Sequence, residues 1–252
     1  MDDVPYLSIV IPAYNEARRL PSYLLEIATY FRQQRRQDQI EIVVVDDGSQ
    51  DETSTVVESF QQKDFPVRLI RLPVNHGKGY AVRTGMLSAR GKLRLFVDAD
   101  GATPISEFAK LEERITQGAE ISVGSRALYD PACMLRARWH RKVLGRLFHR
   151  LVLCLGISGI TDTQCGFKVF GAHAAKDLFS VLRLDGWGFD VELLFVAQQR
   201  GYHIAEVAIN WTDQAGSKVQ VLKDGFRMIR EVLRVHKNYR RGLYTPQMTD
   251  LP

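Results

Sequence analysis

The sequence predicts an α/β fold, a mostly parallel sheet flanked by helices with a C-terminal amphipathic helical extension. Short apolar, β-branched runs recur at "LSIVI" (7–11), "EIVVV" (41–45), "VRLIRL" (67–72), "LRLFV" (93–97) and "EISVG" (120–124). Segments of helical spacing lie between them, at about 16–36, 51–62, 77–90 and 106–117. Strand alternating with helix implies parallel strands joined by crossover helices. The 252 residues and 45% apolar content are enough for a sizeable buried core.

In order, the first strand runs into "PAYNE" (12–16), the second into "DDGS" (46–49), the fourth into "DADG" (98–101) and the fifth into "GSR" (124–126). Open parallel sheets bind ligands beyond the carboxyl ends of their strands, so these four segments are where chemistry is expected. Past residue 130 come a basic, apolar helical stretch (about 134–156), the segment "TDTQCGFKVFG" (161–171) and a helix around 188–200. A strand near "HIAEVAINW" (203–211) and a last helix from about 218 follow. With no repeat and no low-complexity linker, the expectation is one domain over residues 1–215 and an amphipathic basic helix and tail over 216–252.

The net charge of +5 is unevenly placed. Residues 126–150 hold seven Arg/Lys against Asp130, and residues 218–241 hold eight against Asp224 and Glu231. Local basicity of this kind points to an anionic partner on one side, whether lipid phosphate, membrane surface or nucleic acid, or to a solvated charged face. Cys133, Cys154 and Cys165 form no CxxC pair, which argues against a zinc ribbon or a disulfide framework and fits a reducing compartment. The first residues lack signal-peptide features and no apolar run reaches spanning length, so no membrane-spanning segment is expected.

Two acids at i and i+2 within a strand point to opposite faces, so Asp98 and Asp100 act together only where the strand has ended and the chain turns. Gly101 supplies that turn. A hard cation such as Mg²⁺ or Mn²⁺ takes carboxylate oxygens and completes its shell from water and a substrate diphosphate; a plain acidic turn is the alternative. Asp46 and Asp47 precede a helix with Ser49 or Asp51 as N-cap, where such acids bond a ribose or base edge or serve as caps. Gly77, Lys78 and Gly79 open a helix whose free backbone N–H groups suit an anion. Neither GxxxxGK[ST] nor GxGxxG occurs, which disfavours ATP hydrolysis and a dinucleotide cofactor.

The blocks "SIVIPAYNEARRL", "IVVVDDGSQDET", "NHGKGYAVRTGM", "FVDADGAT", "VGSR", "DTQCGFKVF" and "GFDVELL" follow one another over about residues 6–240. In that order they resemble the inverting glycosyltransferases of the GT-A (Rossmann-like) fold, family 2. Within that family they look most like the polyprenyl-phosphate hexosyltransferases, and "DADGAT", "DTQCGFK" and "GFDVELL" look more like the dolichyl-phosphate β-glucosyltransferase branch than the mannose synthases. The resemblance implies a nucleotide-sugar donor, UDP-glucose being favoured, a polyprenyl phosphate acceptor and a Mg²⁺ or Mn²⁺ cofactor. It also implies a donor-side set of Pro12, Ala13, Tyr14, Glu16, Asp46, Asp47, Lys78, Asp98 and Ala99. Asp98 and Asp100 match the metal-binding acids, and Arg126 matches a basic residue near the acceptor or donor phosphate. Ala102 stands where the mannose-synthase pattern often has a Gln, a departure that counts against a third protein ligand and against GDP-mannose.

The basic segments acquire a use in this light. In the last helix Val219, Leu222, Phe226, Ile229 and Leu233 form an apolar stripe beside Lys223, Arg227, Arg230, Arg234, Lys237 and Arg241. Such a helix can lie in a headgroup plane, each cation adding on the order of 1 kcal/mol; helices packed on the core with a basic rim are the alternative. The expected location is the inner, cytoplasmic face of a membrane, peripherally attached, with a separate membrane partner plausible. A phosphate monoester, with a second pKa of about 6, is already an anionic nucleophile, so no strong general base is required. Arg126, Arg138, Arg141 and Lys218 are the expected acceptor-phosphate residues. Asp190 and Glu192 resemble the position of a base elsewhere in the family; an orienting or acceptor-side role is expected, or for Glu192 a simple pairing with an Arg. Competing readings are a GDP-mannose donor, a non-lipid acceptor, and a peripheral membrane-binding protein that keeps only the fold. The absence of QxxRW counts against a processive synthase, and the lack of an aromatic-interleaved basic motif against nucleic acid. Trp187 and Trp211 read as packing residues rather than a sugar platform.

Overall fold

The computed structural model describes residues 4–61, 65–136, 157–214 and 221–245. A seven-stranded sheet of order β3-β2-β1-β4-β7-β5-β8 forms the centre. Its strands are β1 (Leu7–Ala13), β2 (Ile40–Asp46), β3 (Val67–Arg71), β4 (Leu93–Val97), β5 (Ile121–Ser125), β7 (Phe167–Gly171) and β8 (Ile204–Ala208). All neighbours are parallel except β7, which runs antiparallel between β4 and β5. β6 (Leu135–Arg136) and β9 (Trp211–Thr212) make a small second sheet, so the strand expected over 203–211 is broken near Asn210.

The helices are α1 (Leu20–Gln33), α2 (Thr53–Gln61), α3 (Lys78–Ser88), α4 (Phe108–Thr116), α5 (Ala172–Val181), α6 (Phe189–Gln199) and α7 (Val221–Arg240). Side chains alternate across each strand, so β1 and β2 feed two cores. Ile9, Ile11, Ile42 and Val44 pack with Leu24, Ile27, Phe31 and Phe108 on one face. Val10, Val43, Val45 and Phe96 pack with Val82, Met86, Leu178 and Phe189 on the other. Every residue of β2 is buried, as expected of a parallel strand covered on both sides.

The sheet order reverses between β1 and β4, which opens a crevice at their carboxyl ends. Pro12 suits this place. The Ala13 carbonyl accepts the Asp47 N–H from the β2 side at 2.8 Å, so Pro12 turns its nitrogen toward β4, beyond Val10, the last residue paired there.

The C-terminal helix is not a detached appendage. Val232, Val235 and Tyr244 belong to the same core as α6, and Phe195 makes edge contacts with His236 and Tyr239. The expected helix over 134–156, with Arg138 and Arg141, falls outside the described residues from 137 on, as does Lys218.

Candidate functional site

The segments singled out at the strand ends meet at one crevice. After β4, Gly101 adopts φ +64° with its Cα against the Tyr23 ring, and the chain turns so that Asp98 and Asp100 both reach the crevice. Lys78, the first residue of α3, places Nζ 2.6 Å from Asp98 Oδ1. Arg19 places Nη1 3.8 Å from Asp100 Oδ2 and holds Glu16 through Nε and Nη2 at 2.7 and 2.5 Å. Each acid therefore faces a cation while keeping open surface, with 39% and 27% of their side chains exposed. Burial and the neighbouring Asp98 charge push the Asp100 carboxyl above its ordinary value, against the Ala102 N–H, Arg19 and Lys78.

β7 supplies the floor. Gly166 lies so close to Asp98 that a Cβ would stand 2.1 Å from Oδ2, and its carbonyl accepts the Asp98 N–H at 3.1 Å. Two residues on, Lys168 is wholly buried, pairs with Asp190 and donates to the Cys165 carbonyl at 2.5 Å. Burial pushes the Asp190 carboxyl up while Lys168 and Lys78 pull it down. It pushes the Cys165 thiol up to about 12.

"PAYNE" and "DDGSQDET" are zipped together. Asn15, at φ +54°, donates its N–H to Ser49 Oγ and accepts the Gln50 N–H, both at 2.8 Å, and the Glu16 N–H donates to Thr53 Oγ1 at 2.8 Å. Asp46 accepts the Ser49 N–H at 2.9 Å and the Ser54 hydroxyl, which pins the turn after β2, while Asp51 accepts the Thr53 N–H at 3.0 Å at the start of α2. Asp47 accepts the His76 and Gly77 N–H groups at 2.8 Å each, which ties β2 to the start of α3. Burial pushes its carboxyl up in spite of those bonds.

Two expectations need correction. The opening of α3 is not an empty anion cradle: the Gly79 and Tyr80 N–H groups donate to the Asp185 carbonyl at 2.8 and 3.3 Å, and the positive charge here is the Lys78 ammonium. A Cβ on Gly77 or Gly79 would stand 2.5 Å from the Asp185 or Leu184 carbonyl oxygen, so only glycine lets the 184–186 loop pack this close. Glu192 makes no ion pair with an Arg side chain among the described residues. It accepts the Arg183 and Leu184 N–H groups at 3.0 and 2.8 Å and the Tyr244 hydroxyl at 2.6 Å, where burial pushes its carboxyl up although the Arg83 charge pulls it down. Of the apolar stripe expected on the last helix only Leu233 has a described side chain; it is 60% exposed, as a membrane-facing stripe would be, while Val232 and Val235 carry the packing on the core.

Arg126, at the end of β5, grips Asp162 through Nε at 2.7 Å and Nη2 at 2.9 Å, beside the Trp211 ring at 5.5 Å. Trp187 has its ring 5.1 Å from Lys78 Nζ, so both tryptophans border cations of the site. Sequence reasoning missed Arg19, Asp162, Lys168 and Glu231. The one available signal was a lysine inside the apolar run "FKVF", which a buried strand carries only with a partner. A groove of about 860 Å³ lies between α7 and the loop after α5, with Arg83, Arg183, Arg230, Arg234, Lys237 and Arg241 in its walls.

Comparison with known proteins fits this geometry. Residues 8–179 match the model of "Glycosyl transferase family 2". The chain is 39% identical to a dolichyl-phosphate beta-glucosyltransferase of Dictyostelium discoideum over 249 residues, covering 95% of this chain and 76% of that one. It is 40% identical to the human protein of that name over 254 residues, covering 96% and 78%. The crystal structure of Mycobacterium tuberculosis glucosyl-3-phosphoglycerate synthase with Mn²⁺, UDP and glucosyl-3-phosphoglycerate superposes with a TM-score of 0.70 at 20% identity, covering 97% and 82%. Mannosyl-3-phosphoglycerate synthase from Rubrobacter xylanophilus gives 0.69 at 20%, covering 98% and 79%. The mostly parallel sheet, its GT-A fold neighbours and the match across two-thirds of its length agree: the chain belongs to glycosyl transferase family 2.

Proposed function

We propose that the protein transfers a hexose, glucose from UDP-glucose, with inversion to a polyprenyl phosphate of the dolichyl type at the cytoplasmic face of a membrane. The observation that carries this reading is the pair Asp98 and Asp100 at the crevice, in a chain about 40% identical to dolichyl-phosphate beta-glucosyltransferases.

Two partly exposed carboxylates fit a hard cation that keeps several waters and takes phosphate oxygens from substrate. Among the described residues no three His, Cys, Asp or Glu converge, and Ala102 adds no oxygen ligand, so the fit is to two protein ligands. Asp98 and Asp100 would hold Mg²⁺ or Mn²⁺, which when bound neutralises charge on the departing nucleoside diphosphate.

Lys78 adds a fixed positive charge beside Asp98. Asp47 and Glu16 shape the donor pocket by fixing the His76–Gly77 and Arg19 segments; Pro12, Ala13, Tyr14 and Ala99 line the strand ends beside them. Asp190, committed to Lys168, orients the floor rather than taking a proton, because an acceptor phosphate is already anionic. Arg126, aligned by Asp162, together with Arg138, Arg141 and Lys218, receives that phosphate. The exposed Leu233 among Arg230, Arg234, Lys237 and Arg241 supports peripheral attachment to an anionic surface. No helix among the described residues is long and apolar enough to cross a membrane.

The test is incubation with polyprenyl phosphate, Mg²⁺ or Mn²⁺, and labelled UDP-glucose or GDP-mannose, counting label extracted into organic solvent. Label from UDP-glucose that Asp100→Asn abolishes supports the proposal. Label from GDP-mannose alone changes the donor, and label in neither case overturns the acceptor.

A further inference from the structure

We infer that Glu231, on the C-terminal helix, is a positioning residue for Lys78, acting through the 182–188 loop and the Trp187 ring. This rests on the reading of Asp98 and Lys78 as the donor-diphosphate site.

The 182–188 loop is held at both ends by carboxylates. At its start Glu192 accepts the Arg183 and Leu184 N–H groups. At its end Glu231 Oε2 accepts the Gly188 N–H at 2.8 Å. The loop packs closely on Glu231 at two glycines: a Cβ on Gly186 would stand 2.4 Å from Oε1, and one on Gly188 2.7 Å from Oε2 and 2.8 Å from the Glu231 Cβ. The opposite side of the loop presses on α3 in the same manner, through Gly77 and Gly79, and its Asp185 carbonyl caps the first turn. Between these contacts stands Trp187, facing the Lys78 ammonium that sits 2.6 Å from Asp98.

Side chain, loop and helix start are thus stacked without slack from α7 to Asp98, and close-packed layers shift together rather than deform. The C-terminal segment braces the other clamp too, since the Tyr244 hydroxyl bonds Glu192 and Asn238 bonds Tyr244 at 3.3 Å. Losing the Glu231 bond frees the loop end, lets the indole leave the ammonium and loosens the group that faces Asp98.

The experiment measures UDP binding in the presence of Mn²⁺ by calorimetry, with thermal unfolding of every variant. Glu231→Ala should weaken UDP by about 5- to 30-fold, the loss of one part-buried charge-assisted bond. Glu231→Gln keeps an acceptor for Gly188 and should stay within about threefold of wild type, whereas Glu231→Asp, one methylene short, should behave like the alanine variant. In the Lys78→Met background Glu231→Ala should add little, because both act through one group. Additive losses, or an impaired Glu231→Gln beside a normal Glu231→Asp, would overturn the positioning role. Wild type that binds neither UDP nor GDP overturns the donor-site reading itself.

Discussion

The Gly166 α-carbon sits directly beneath the Asp98 carboxylate, with room for a hydrogen and for nothing larger: a Cβ would stand 2.1 Å from Oδ2 and 2.3 Å from Cγ. The atoms in the way are the tip of a side chain with open space beside it, so Gly166→Ala should swing the carboxylate aside rather than break the fold. The expected outcome is a fall in kcat of about 10²- to 10³-fold, the scale for losing one electrostatic stabiliser. Stability should fall by no more than about 1–3 kcal/mol, the range for overpacking. Transfer kinetics beside thermal unfolding check it; unchanged activity would mean that the position of Asp98 is immaterial.

Asp100 should set the acid side of the pH profile. A carboxylate holds a cation only when ionised, and burial together with Asp98 raises its pKa above 3.8. Affinity for UDP with Mn²⁺ should therefore fall, as pH drops, while still above the range of an ordinary aspartate. Arg19 opposes that shift, so Arg19→Met should carry the fall to higher pH. Titrating UDP affinity in both proteins tests it, and an unmoved limb would separate Asp100 from cation binding.

Arg126 and Asp162 form a half-buried, two-pronged pair. Burial works to raise the Asp162 carboxyl, but the Arg126 guanidinium outweighs it and holds the group below the usual range. A depressed carboxyl adds stability that is present above the unfolded-state pKa and lost as pH falls through the folded one. Asp162→Asn should cost about 1–3 kcal/mol at neutral pH, because the half-buried Arg126 guanidinium loses its charged partner but keeps some access to water, and the difference from wild type should shrink in acid. Denaturant unfolding at several pH values measures both.

Much of the site was legible because parallel strands end where ligands bind, and each end carried polar residues that a strand interior does not hold. β4 was read at Leu93–Val97 as observed, and the helix beginning at 77–78 was placed within a residue. The segment 161–171 was quoted as a motif, yet its role as a strand escaped reading: "FKVF" is too short to show a period, and its lysine argues against a core position until Asp190 is brought beside it. Asp162, Arg19 and Glu231 were invisible for a related reason. Each meets a partner that local spacing does not reveal, Arg19 through Asp100 in addition to the nearby Glu16, and Asp162 and Glu231 reaching 36 and 43 residues along the chain.

The antiparallel insertion of β7 also predicts an order of assembly. β1 to β4, complete by residue 97, can pair as soon as that length of chain exists, but the far edge of β4 must wait for residues 167–171. Long-range pairing of this kind is slow, and until it happens β4 is an open apolar edge. In pulsed hydrogen exchange during refolding, amides of β1 and β2 should gain protection before those of β7 and β5; simultaneous protection would show that the two halves form as one. Asp98 and Asp100 would then lie along the seam where the early half of the molecule is joined by the late one, so a chain halted short of Phe167 would carry both acids with nothing beneath them.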